Sequence, residues 1–212
     1  MARKTKEEAQ ATRESILDAA ETVFLDKGVS AATLEQIARE AGVTRGAVYW
    51  HFKNKEDLLL AMRERTDLPL SELMRRAEPG AEDNPVEQIR SACRCALRRL
   101  ATDQTFRNVN AIFLTRCELI GEHNPNFGQT LKIDDDKLAE GIVHFEHARE
   151  LGLLKPGVTP RIASLSLFAL MHGIFLSWLR SPARFEIQDE GNAMLDLYFD
   201  NILNRPEPPR SG

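Results

Sequence analysis

A chain of 212 residues, 42 % apolar and 28 % charged, has enough apolar side chain for one large core or two small ones, and reads as globular. No stretch approaches the roughly 18 uncharged apolar residues of a membrane span, and the basic run Met1 to Lys6 has no apolar segment behind it, so neither an anchor nor a signal peptide is expected. The net charge of -4 excludes a generic polyanion binder, so any nucleic-acid contact must come from a local patch.

Cys93, Cys95 and Cys117 give an odd count at spacings that fit neither a metal-ligand pair nor a disulfide framework. They read as reduced thiols, and the cytoplasm is the expected compartment. Residues 1–66 hold eleven basic and eleven acidic side chains, so the acidic excess lies beyond them. Within that first part, Arg3, Lys4 and Lys6 form one acid-free cluster. Arg45, Lys53 and Lys55 form another.

From Glu7 to Lys27, Ile16, Ala20, Val23 and Phe24 recur at helical spacing, and Gly28 supplies a left-handed residue to end the helix. Thr33 opens a capping box with Gln36, and Leu34, Ile37, Ala38 and Ala41 form the apolar face of a short second helix that stops near Gly42. Thr44 can cap a third short helix through His51, with Ala47, Val48 and Phe52 inward and Arg45, Tyr49 and His51 outward. Asn54 and Asp57 start a fourth helix, whose Leu58, Leu59 and Met62 continue inward until Pro69 interrupts it. Further helices are expected over about 85–101, 104–122, 131–151, 160–180 and 189–204, before a fraying tail at 206–212. No segment shows strand alternation, so the fold class is all-α.

Two short helices joined by a three-residue turn containing Gly match the helix-turn-helix, whose second helix enters the major groove. The run Thr-Leu-Glu-Gln-Ile-Ala-Arg-Glu-Ala-Gly-Val-Thr-Arg-Gly-Ala-Val-Tyr-Trp-His-Phe-Lys-Asn-Lys, from Thr33 to Lys55, closely resembles the DNA-binding signature of the TetR family of repressors. Together with the opening Met-Ala-Arg-Lys-Thr-Lys, it is similar to the acriflavine-resistance subgroup that controls multidrug efflux. The close resemblance covers about residues 1–62, and Arg116-Cys117-Glu118 and the region Gly173 to Pro182 are similar only loosely. It implies a DNA-binding domain over 1–62 and a ligand-binding and dimerisation domain over 63–205.

Arg45 presents a planar fork that can pair with guanine O6 and N7, and Gly46 lets the helix start lie close to the groove floor. Tyr49, His51 and Lys55 suit phosphate oxygens, and the resemblance implies backbone contacts at these positions. Thr33 and Thr44 can add hydroxyl and helix-terminus contacts. Trp50 either touches a phosphate or packs between the DNA-binding helices. A Tyr and a His beside a Trp are also what a half-buried aromatic cap on a small core would look like.

Helix-turn-helix geometry predicts a homodimer on near-palindromic operator double-stranded DNA, the resemblance implies release by a hydrophobic small-molecule inducer, and no membrane partner, cofactor or metal is expected. Candidate cavity residues are Phe113, Arg116, Cys117, Phe145, Phe168, Met171, His172 and Phe175, with Glu118 as a further polar one, although such side chains at helical spacing more often pack a core. Leu167, Leu170, Ile174 and Trp178, with Leu195, Tyr198 and Ile202, form apolar rows suited to a four-helix dimer interface. A core within one chain explains any single one of them nearly as well. The helix from Asn54 is the expected lever between ligand and DNA.

Two other readings stay open. A DNA-binding regulator without an inducer needs only the helix-turn-helix, whereas about 145 residues follow it here. A helical enzyme would need acid-base or metal groups, and His144 and His147 beside Glu140 are the nearest approach; polar residues so spaced usually form a solvated face.

Overall fold

The computed structural model describes residues 6–66, 84–117 and 127–204, with side chains from 135 onward in the last segment. Pro69, Glu118 and the tail 206–212, on which expectations fell, lie outside the described residues. Helices α1 (Lys6–Lys27), α2 (Leu34–Glu40), α3 (Arg45–His51) and α4 (Lys55–Thr66) come first. After them come α5 (Pro85–Thr102), α6 (Gln104–Ala111), α7 (Phe127–Glu150), α8 (Pro160–Arg180) and α9 (Glu190–Ile202). No strand occurs among the described residues; Leu154 and Leu203 form an isolated bridge.

Local chemistry sets the early boundaries. Gly28 takes the left-handed conformation at φ 79°, and its N–H donates to the Phe24 carbonyl at 2.9 Å, ending α1. The capping box forms as expected: Thr33 Oγ1 accepts the Gln36 N–H at 3.2 Å, and Gln36 Oε1 accepts the Thr33 N–H at 3.0 Å. Asn54 Oδ1 accepts the Asp57 N–H at 2.8 Å, and Asp57 Oδ2 accepts the Lys53 N–H at 2.9 Å, so α4 starts on a related pair whose return bond comes from the residue before the cap.

The helix expected over 104–122 is shorter and less regular. After α6 the chain widens into a π turn, Ile112–Arg116, and Cys117 leaves helical geometry with its N–H on the Ile112 carbonyl at 2.7 Å. In compensation, the freed Arg116 carbonyl accepts the Val29 N–H at 3.1 Å. The helix expected from 131 begins earlier, at Phe127.

The chain forms two compact units, Met1–Asp67 with Gln104–Leu131, and Leu68–Asp103 with Lys132–Gly212. In the first, Ile16, Leu17, Ala20, Val23 and Phe24 of α1 are buried with Ile37 and Ala38 of α2, Val48 of α3, Leu58 and Met62 of α4, and Val109 and Ile112. This unit also holds a buried carboxylate. Glu21 Oε2 accepts from Arg65 at 2.9 Å and Oε1 accepts from Asn108 at 2.6 Å, so one side chain ties α1 to α4 and α6.

In the second unit, Leu97 and Leu100 of α5, Phe145 and Ala148 of α7, Leu167 and Ile174 of α8, and Leu195 and Phe199 of α9 are buried. Two glycines allow close approach: a Cβ on Gly141 would lie 2.5 Å from Ser164 Oγ, and one on Gly191 would lie 3.3 Å from Leu97. Arg90 stacks over the Phe199 ring at 4.9 Å, and Asp196 pairs with Arg94 at 2.7 Å.

The expectation that no stretch approaches the length and apolarity of a membrane span is corrected by α8. From Ile162 to Leu179 it carries no acid, lysine or arginine, and Pro160–Arg180 is long and apolar enough to cross a membrane by length and composition. Ala163, Ser164, Leu167 and Ile174 are buried, Ile162, Ser166, Ala169, His172 and Gly173 are exposed, and the rest of 162–179 is half-buried, so one side serves a core.

Candidate nucleic-acid interface

The turn between α2 and α3 is built by Gly42, at φ 65°, and by the Val43 N–H, which donates to the Ala38 carbonyl at 3.0 Å. Thr44 Oγ1 then accepts the Ala47 N–H at 3.2 Å and starts α3. Val48 and the following Phe52 are buried, and Arg13 stacks over the Phe52 ring at 5.2 Å, so one side of α3 is anchored. The opposite side carries Arg45, Gly46, Tyr49 and Trp50.

Tyr49 is 44 % exposed and Trp50 73 % exposed, so Trp50 stands outside rather than between the helices. Its ring meets His51 edge-on at 4.5 Å, leaving His51 partly covered. Gly46 meets nothing nearer than Thr44 Oγ1, 3.9 Å from where its Cβ would be, so here the surface is bare backbone. Glycine is not demanded by backbone conformation at this position.

Arg45 is already engaged. Nη1 lies 2.9 Å from Glu35 Oε1, Nη2 donates to the Tyr49 hydroxyl at 3.2 Å, and the guanidinium sits 5.2 Å from the Tyr49 ring centroid. The Tyr49 hydroxyl, and then the Glu35 charge, hold the guanidinium still more firmly protonated than usual. The fork is thereby held between Glu35 of α2 and Tyr49 of α3. Thr33 and Thr44 are spent as caps through accepted bonds, yet each hydroxyl keeps its own hydrogen to donate.

Lys55 departs from its expected place. Its ammonium donates to the carbonyls of Val29 at 2.7 Å, Ser30 at 3.0 Å and Ala32 at 3.0 Å. Three carbonyls use all three hydrogens, so this geometry offers none to a phosphate.

The chain matches "Bacterial regulatory proteins, tetR family" over residues 16–62 and "MAATS-type transcriptional repressor, C-terminal region" over residues 84–203. It belongs to the TetR family. The HTH-type transcriptional repressor BepR of Brucella suis is 34 % identical over 200 residues, spanning 94 % of this chain and 96 % of BepR. The crystal structure of NalD, the secondary repressor of the MexAB-OprM multidrug efflux pump in Pseudomonas aeruginosa, superposes with a TM-score of 0.85 at 37 % identity, covering 94 % of this chain and 99 % of NalD. The complex of SmeT with triclosan superposes at 0.80 and 33 % identity, covering 95 % and 100 %; SmeT is the repressor of the Stenotrophomonas maltophilia efflux pump SmeDEF. This is therefore a TetR-type transcriptional repressor related to multidrug-efflux repressors, not an enzyme.

For a TetR-family chain the remaining candidates concern ligand and partner subunit. Phe113, Arg116 and Cys117 fall in the first unit. There Arg63 covers Phe113 at 5.0 Å, Cys117 is half-buried with its thiol pushed up by that burial, and the Arg116 side chain is exposed. In the second unit Phe145 is fully buried core. Phe168, Met171 and Phe175 are partly buried, and His172 is exposed with its ring 6.0 Å from Phe168. The eight residues are divided between the units, with only the α8 set on successive turns of one helix.

Of the expected interface residues, Leu167, Ile174 and Leu195 are buried inside their own chain and are withdrawn from any partner. Leu170, Trp178 and Ile202 are half-buried. The Tyr198 hydroxyl donates to the Ala163 carbonyl, and burial beside Cys93 pushes its acidity down; burial pushes the Cys93 thiol itself up to about 12. What these two TetR-family helices leave outside is different. On α8 it is Ile162, 57 % exposed, with Ser166, Ala169 and Gly173; on α9 it is Ala193 and Leu197, the latter 66 % exposed. The signal was present in the sequence, since 162, 166, 169 and 173 share a helix face. The longer apolar rows beside it concealed it.

Proposed function

We propose that this repressor acts as a homodimer on a near-palindromic operator and is released by a hydrophobic small molecule, controlling multidrug efflux genes from the cytoplasm. The observation that carries the DNA part is the outward face of α3. Arg45, Gly46, Tyr49 and Trp50 project from a helix whose other side is fixed in a core. Arg45 reads a base, Tyr49, Trp50 and His51 meet phosphates, and Thr33 and Thr44 add hydroxyl contacts that fix register. Residues 1–62 supply this surface, and residues 63–205 supply sensing and dimerisation.

The exposed apolar face of α8 and α9 supports the dimer, since Ile162, Leu197 and the small residues between them would be covered by the same face of a second copy. A twofold pair then places two α3 helices in major grooves roughly 34–36 Å apart. Phe168, Met171 and Phe175 are the best-supported pocket walls, with His172 as the polar group beside them. That BepR and NalD are repressors, NalD of an efflux pump, and that SmeT takes up triclosan supports both control of efflux and a drug-like inducer.

The test is to recover operator fragments with the purified protein and then titrate triclosan against the complex while following DNA release. Linkage requires that a ligand weakening operator binding be weakened by operator in equal measure, with typical couplings of about 1–3 kcal/mol. Triclosan binding equally to free and operator-bound protein, with no DNA release, would remove it as an inducer; the same result across other drug classes would favour a regulator without one.

A further inference from the structure

Lysine is poorly placed in the first turn of a helix, where the positive end of the backbone dipole disfavours another positive charge. Lys55 is nevertheless the first residue of α4. Its ammonium turns back onto the Val29, Ser30 and Ala32 carbonyls, in the turn that follows the C-terminus of α1. That end of α1 is electronegative, so the charge is satisfied there by carbonyls and dipole together.

The same turn is pinned from its other side. The Val29 N–H donates to the Arg116 carbonyl at 3.1 Å, and the Ala32 N–H to the Gly28 carbonyl at 3.2 Å. Ala32 is followed directly by Thr33, the N-cap of α2, and the end of α2 fixes the entry to α3 through the bond from the Val43 N–H to the Ala38 carbonyl. A continuous path of short bonds thus runs from the start of α4 to the start of α3.

We propose that Lys55 is a positioning residue rather than a phosphate ligand: it latches the start of α4 to the turn before α2 and so sets the angle at which α3 is presented to DNA. This rests on the reading of α3 as the groove helix. Its consequence is mechanical: α4 cannot move relative to α2 without carrying the turn with it or breaking three hydrogen bonds. The expected lever therefore acts on the DNA-reading helices through a side chain, not through a contact of its own with DNA.

Two variants of the full chain decide this, each titrated with operator and with random DNA over a range of salt. Lys55→Met keeps the stem and removes the ammonium. Lys55→Arg keeps a charge that could serve a phosphate, but spreads its donors in a flat fork that does not converge on three carbonyls. Both are expected to lose about tenfold in operator affinity, with little change on random DNA and an unchanged salt slope.

A slope reduced by about one in Lys55→Met and restored in Lys55→Arg, with equal loss on both DNAs, makes Lys55 a phosphate ligand and overturns the proposal. So does a lowered melting temperature with operator affinity intact, which would make the latch a support of the fold only. Should Lys55→Met fail to fold, Lys55→Arg decides alone, and parental operator affinity in it refutes the latch. Failure of the groove-helix reading looks different, because Arg45→Ala would then leave sequence preference intact whatever the Lys55 variants do.

Discussion

The two units build their cores from the same leucines, isoleucines and phenylalanines, yet they turn different chemistry outward. The first exposes a compact set of side chains with polar or ring-bearing tips, each held by a neighbour three or four residues away: Thr33 by Gln36, Thr44 by Ala47, Arg45 by Tyr49. The second exposes aliphatic and small residues along α8 and α9, among them Ile162 and Leu197, with no polar partner to mark them. A surface for DNA advertises itself through its hydrogen-bonding groups. An apolar surface for a second subunit uses the same residues as the core, and only the packing distinguishes them.

Leu195 and Leu197 put that distinction to its hardest test, two residues apart on α9. Leu195 has no exposure, so Leu195→Ala should cost about 2–5 kcal/mol of stability through lost burial and the cavity left behind. Leu197→Asp should change protomer stability by only about 0.5 kcal/mol while driving the protein towards monomer in sedimentation. Chemical denaturation and sedimentation of both variants check this, and equal stability losses with an unchanged oligomeric state would erase the contrast between inner and outer faces.

On the DNA side the largest effect belongs to Arg45. Arg45→Ala should cost about 1–3 kcal/mol on operator and relax sequence preference, read as a falling ratio of operator to random-DNA affinity. Glu35 sharpens the test, because it holds the same guanidinium at 2.9 Å in the free protein. Gly46→Ala should separate folding from reading: with no clash to meet and a better helix former in place, stability should rise by about 0.5–1 kcal/mol while operator binding weakens. A variant that gains stability and keeps full operator affinity would show that the groove does not need bare backbone there.

These contrasts also explain what could be read from the chain alone. The caps of α2, α3 and α4, the turn at Gly42 and the inward Val48 and Phe52 depend on neighbours a few residues away, so they were legible. Lys55 was not, because its acceptors lie 23 to 26 residues back and nothing local separates an ammonium aimed at carbonyls from one aimed at phosphate. Leu195 could not be distinguished from Leu197 as a surface residue, since which side of α9 is covered depends on α5 and α8 rather than on α9 itself. The π turn at Ile112–Arg116 had no sequence signal we can name; its effect, a free carbonyl for Val29, is tertiary.

The smallest predicted effect again sets the units apart. Among the described residues the first unit buries a carboxylate, Glu21, where the second buries only the neutral Ser164 outside its apolar core. Burial pushes the Glu21 carboxyl above its ordinary value of 4.5, and the Asp18 charge adds to this; the bonds from Asn108 and Arg65 pull it down without cancelling the rise. The charged groups around it are Arg65 and, on the same guanidinium, Asp18 at 2.6 Å and Glu14 at 3.7 Å. A carboxyl whose folded value is raised contributes stability that is complete below its unfolded value and is lost as pH climbs through the folded one. Glu21→Gln keeps an oxygen for Arg65 and cannot ionise, so it escapes that loss. The melting temperature of Glu21→Gln relative to the parent should therefore rise between about pH 4.5 and neutrality. A difference that stays flat or falls over that window would mean that the pairing with Arg65 outweighs burial, and that the ionised clamp is a net support of the α1, α4 and α6 junction.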